Sequence, residues 1–118
     1  MHGRLLQSAD LAARNLRLIT RRVDFLVRDG HPREAIADVL TEVAVALREL
    51  RDGLTTPASL TEARSRLEQV AGRLDPAKLT SGEVADAALV LMIRPLVVDL
   101  LTGAGLDTAE ARALLPPL

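Results

Sequence analysis

The chain has 118 residues, a length that suits one domain built around one core. A composition of 48% hydrophobic and 26% charged residues belongs to globular proteins and excludes a disordered chain. With no cysteine, disulfides, thiolate metal sites and thiol catalysis are excluded, and a net charge of −1 with no Trp or Tyr argues against a nucleic-acid surface.

The charge is unevenly spread. Residues 1–33 carry seven arginines against three aspartates, while the remainder carries eight basic and thirteen acidic residues. The apolar residues are almost all Leu, Val, Ala and Ile, of which Leu and Ala above all favour helix; the usual aromatic strand markers are missing.

A first helix is predicted over about Leu5 to Val27. Its seam of Leu5, Ala9, Ala12, Leu16, Ile19, Val23 and Leu26 alternates steps of four and three, the spacing of a bundle helix. With that seam inward, Arg14, Arg17, Arg21 and Arg28 form an outward basic face, and Asp29-Gly30 ends the helix. Asp24 stands among these arginines and relieves their repulsion, so the face is read first as solvated, with peripheral contact with a membrane surface as the functional alternative.

A second helix is predicted from Pro32 to Asp52, with Pro32 at its first position, Ile36, Leu40, Val43, Leu47, Leu50 and Leu54 inward, and Gly53 as the stop. A third runs from about Ala58 to Leu74, burying Leu60, Ala63, Leu67, Val70 and Leu74. It opens on a Ser59–Glu62 capping box, and Asp75-Pro76 breaks it. Thr80 and Glu83 form a second capping pair ahead of Val84 to Leu106, a stretch apolar on nearly every helical face that ends in Gly103-Ala104-Gly105. Asp107 with Glu110 caps a short last turn to about Leu115, and Pro116-Pro117 ends regular structure. The expected fold is all-α: a single domain over residues 1–118, a four-helix up-down bundle with a short C-terminal helical turn, its fourth helix the most buried.

Chemistry is sparse. The only histidines, His2 and His31, have no metal-ligand spacing, Ser59 and Ser81 are explained by helix starts, and the Gly-Ala-Gly step follows a helix and lacks a phosphate-loop ending. No enzyme activity, cofactor or metal is expected. Arg94 and Asp99 are the only charges between Ala87 and Leu101, and Pro95 removes the helical bond to the Leu91 carbonyl, so a kink is expected there. Arg94, Pro95 and Asp99 are therefore the candidate structural or interaction residues, each charge meeting a partner on another helix or reaching water, with an ion pair that fixes packing register as the plain expectation. An enzyme using Arg94 and Asp99 would need a concave polar pocket around both.

Residues 93–112, IRPLVVDLLTGAGLDTAEAR, resemble the C-terminal end of fusaric-acid-resistance-type (FUSC) aromatic acid exporters. In that family an arginine is followed five residues later by Asp-Leu-Leu, then Gly-Leu-Asp and Ala-Arg. The matching positions are Arg94, Asp99, Leu100, Leu101, Gly105, Leu106, Asp107, Ala111 and Arg112. The run AARNLRLITRR, residues 12–22, is similar to the start of the family's soluble helical portion. Pro95 and Leu96 depart from the small polar residues expected after the arginine, and the family's membrane helices are not in this sequence.

The resemblance implies a non-catalytic cytoplasmic module, at the cytoplasmic face of the inner membrane, whose partner is itself or a membrane transporter. The alternative is a free-standing helical-bundle scaffold or regulator, dimeric through the apolar helix 84–102, on the ground that three partner helices leave part of that helix uncovered. A nucleic-acid partner is not expected.

Overall fold

Two runs of alternating three- and four-residue spacing, joined by a four-residue link, close into an antiparallel helical hairpin. The computed structural model describes Asp10, Arg14, Asn15, Arg17, Leu18, Ile19, Arg21 and residues 33–118. Among these residues there are helices and no strand, so the chain is all-α over the described part. The elements are α1 (Glu34–Asp52), α2 (Pro57–Arg73), α3 (Pro76–Leu79), α4 (Val84–Gly103) and α5 (Thr108–Ala113). The seven described residues between Asp10 and Arg21 are also helical. The other predicted seam positions of the first helix, its Asp29-Gly30 stop, Arg28 and Pro32 lie outside the described residues.

The inward line of α1 is Ile36, Val39, Val43, Ala46 and Leu50. It is rotated from the expected stripe: Leu40, Leu47 and Leu54 flank the core and are only partly buried. The physical reason is closeness. Small residues at the centre, Ala46 on α1 and Ala63 on α2, let the two backbones approach where leucines would hold them apart. At the end of α1, Gly53 has φ −64°, so its role is not left-handed backbone. A Cβ on Gly53 would lie 3.0 Å from Leu60 Cβ and 3.2 Å from the Glu49 carbonyl, tighter than ordinary contact, so α2 would have to give way by a few tenths of an ångström.

Charges on the rim run in register with the hairpin. Arg73 Nη2 donates to Asp38 at 2.9 Å, and Arg66 donates through Nε to Glu49 and through Nη1 to Glu42, the latter at 2.6 Å. Hydrogen bonding to Glu49, then to Glu42, raises the Arg66 pKa above its ordinary value. That contribution is fully present below the ordinary arginine range and is lost only as pH rises beyond it.

The expected capping boxes do not form. The third predicted helix starts two residues earlier than Ser59, because Pro57 takes the first helical position, so Ser59 falls inside the first turn. Thr80 is not a cap of α4 but closes a single-turn α3 not expected from the sequence, donating to the Pro76 carbonyl at 2.7 Å. The side chain of Asp75 accepts from Ala77 N at 3.0 Å, so the Asp75-Pro76 break restarts a helix as it ends one. Asp107 precedes α5 without a side-chain cap.

α4 has the most buried residues of any described helix: Leu89, Val90, Ile93, Leu96, Val97, Val98, Leu100, Leu101 and, alone among charges, Asp86. Each fully buried Leu or Ile contributes roughly 1.5–3 kcal/mol relative to exposure. α4 packs on α2, α3 and α5, and only lightly on α1. Its end is a Schellman motif: Leu106 N donates to the Leu101 carbonyl and Gly105 N to that of Thr102, each at 3.1 Å, with Gly105 at φ +110°. The Gly-Ala-Gly step is thus a helix stop. Among the described residues no helix is long and apolar enough to cross a membrane; α4 itself carries Asp86, Arg94 and Asp99.

Candidate functional site

Arg94 and Asp99 are five positions apart on α4, yet both line one open cleft of about 400 Å³ with Leu91, Pro95, Val98, Arg112, Leu115 and Leu118. The cleft exists because the chain doubles back after the Schellman stop. α5 packs along α4 through buried Ala111, and by Pro116 the chain is again level with Arg94. The walls are mainly aliphatic.

Arg94 is held by carbonyls, which corrects the expected ion pair. Nη1 donates to the Leu74 carbonyl at 2.6 Å and Nη2 to the Pro116 carbonyl at 2.7 Å. Leu74 is the cap residue of α2, and its carbonyl is one of those a helix end leaves without an internal partner. The planar fork presents a separate nitrogen to each acceptor, whereas a lysine would offer both the same one. Arg94 therefore ties the C-terminal segment to the end of α2. Its guanidinium is committed to structure.

Pro95 sits within an unbroken α4. It is exposed, as is Leu91 one turn earlier, so the Leu91 carbonyl that proline leaves unbonded faces the solvent side. Asp99 and Arg112 are the remaining charges of the cleft, and neither has an ion-pair partner among the described residues.

A smaller cleft, about 220 Å³, adjoins this one across Pro95 and is lined by Asn15, Leu18, Ile19 and Met92. Ile19 is buried, as its seam position predicts, while Leu18 is 55% exposed. Arg14, Arg17 and Arg21 of the expected basic face are exposed; Arg28 lies outside the described residues.

The feature that sequence reasoning missed is Arg33 with Asp86. Arg33 Nε donates to Asp86 Oδ1 at 2.7 Å, with side chains 8% and 6% exposed. Asp86 lies three residues before Leu89, in line with the buried positions of α4. A carboxylate on a core stripe was the available signal. Among the described residues no group of three or more His, Asp or Glu side chains converges as a metal site would.

Comparison with family models, with curated proteins and with solved structures returns no match for this chain.

Proposed function

We propose that this protein is a non-catalytic helical module that works by contact, setting an apolar strip of α4 against another surface. The observation that carries the reading is the exposure of Leu91, at 45%, in the middle of the most buried helix, continuous with exposed Pro95 and with Leu118 at 83%. An apolar strip rimmed by polar residues marks an interaction surface. The cleft beneath it supplies aliphatic walls, one carboxylate and two arginines, one of them engaged by carbonyls. In that set Asp99 is the one group able to take up a proton, with no second titratable side chain placed to return it, which supports binding over catalysis.

The resemblance of residues 93–112 to the soluble end of an aromatic acid exporter fits this reading, and on it the partner would lie at the cytoplasmic face of a membrane. The architecture that goes with it is the four-helix up-down bundle. The burial of Ile19 supports a first helix packed on the core, and the Arg33–Asp86 pair, which brings the starts of α1 and α4 together, supports their parallel course. A dimeric scaffold would use the same strip, and sedimentation of the purified chain separates that case.

The test is a photoreactive amino acid at position 91, with a control at exposed Glu62 on α2, in cells that express the chain. A discrete adduct to a protein or a lipid at position 91 and none at 62 is expected. Equal labelling at both positions, or none at 91, overturns the reading.

A further inference from the structure

The basic face adjoins the apolar strip through Pro95. Arg14, Arg17, Leu18 and Arg21 follow the spacing of a single helical face, and all four are exposed. Leu18 thus stands among three arginines, and it lines the smaller cleft with Pro95 and Met92; Pro95 also lines the larger cleft, with Leu91 and Leu118. None of the three arginines has an ion-pair or hydrogen-bond partner among the described residues. Asp10, one turn before Arg14, is the single described carboxylate on that helical face, and Asp99 balances Arg112 at the far edge. By sequence spacing Asp24 and Arg28 fall on the same face and lie outside the described residues; counted with them, the face carries four arginines against two aspartates.

Exposed leucines set among free arginines match the interface of an anionic bilayer, where apolar side chains enter the headgroup boundary and cations meet the phosphates. We infer that this surface, Arg14, Arg17, Leu18 and Arg21 together with Leu91 and Leu118, docks peripherally on an anionic lipid membrane. A second copy docked two-fold through this same surface would bring the three arginines against their own kind or against the neutral Asp99–Arg112 edge. Anionic lipid satisfies all three. The inference rests on the contact-module reading and names the occupant of its surface.

Co-sedimentation of the purified full chain with vesicles tests it, using phosphatidylcholine alone and phosphatidylcholine mixed with phosphatidylglycerol. The chain is expected to bind the mixed vesicles and not the neutral ones, and to be released at high salt. Each arginine near the surface contributes about fivefold in affinity, so Arg14→Gln/Arg17→Gln/Arg21→Gln is expected to weaken binding on the order of a hundredfold. Leu18→Asp is expected to weaken it as well, while Arg64→Gln on α2 leaves it unchanged. Since the triple variant alters only exposed side chains, helical circular dichroism should be retained; if it is not, Arg17→Gln alone is expected to show the fivefold loss.

Binding to both vesicle types alike, binding that the arginine variants leave intact, or no binding overturns the inference. If vesicles fail while position 91 still yields a protein adduct, the membrane falls and the contact module stands. If both fail, both readings fall.

Discussion

Arg33 and Asp86, far apart in sequence, pair at 2.7 Å between the N-terminal ends of α1 and α4 and are almost wholly withdrawn from solvent. The carboxylate also lies in the first turn of α4, where the helix dipole favours negative charge. A buried pair of this kind adds little net stability over an apolar replacement, but removing one partner strands the other. Arg33→Met is therefore expected to cost about 3 kcal/mol, with Arg33→Met/Asp86→Leu recovering most of it. Urea unfolding of the two variants checks this; a single variant within about 0.5 kcal/mol of the parent would mean the pair is not buried in solution.

The carbonyl clamp of Arg94 makes a different prediction, because it holds a segment more than a core. Loss of charge-assisted hydrogen bonds to two carbonyls costs about 2–3 kcal/mol in Arg94→Ala. Arg94→Lys keeps the charge and loses the fork, so it is expected to recover less than half. Hydrogen exchange should locate the effect: amides of Leu114 and Leu115 lose protection, while those of α1 do not.

Three glycines with different surroundings should respond with different signs. Gly53→Ala forces a methyl against Leu60 at 3.0 Å and is expected to destabilise by about 1–3 kcal/mol, despite the better helix propensity of alanine. Gly105→Ala, at φ +110°, is expected to cost about 1 kcal/mol by straining the Schellman turn. Gly72 is helical with nothing within 4 Å of an added Cβ, so Gly72→Ala is expected to stabilise by about 0.5–1 kcal/mol. Thermal melts of the three variants order them.

Thr102 Oγ1 is buried without a hydrogen-bond partner. Valine has the same shape and the same branching, so it keeps the packing and removes the unsatisfied hydroxyl. Thr102→Val is expected to raise stability by about 1 kcal/mol, read as a higher urea midpoint at unchanged slope. A loss of stability would show that the hydroxyl has a partner in solution.

The local features of this chain were legible in its sequence because they depend on near neighbours. The helices at 34–52, 57–73 and 84–103 follow from apolar spacing together with Pro57, Pro76 and the Gly103–Gly105 stop, and the predicted limits of the third lie within a residue of those found. The inward positions of α2 follow from the same spacing. Where local chemistry offered competing choices the outcome differed, as at Ser59 and Thr80, where a proline two residues before and four residues before claimed the helix start.

What only the tertiary structure decided are relations between segments distant in sequence. On an ideal helix two positions five apart lie about 140° from each other, but the returning chain from Asp107 to Pro116 walls Arg94 and Asp99 into one cleft and supplies the carbonyl that Arg94 binds. The Arg33–Asp86 pair, the rotation of the α1 stripe toward Val39 and Ala46, and the Gly53–Leu60 approach have the same origin. Helical periodicity is a property of one segment, set by residues three and four apart. Packing distance and burial are properties of pairs of segments, set by which small or charged side chain meets which neighbour.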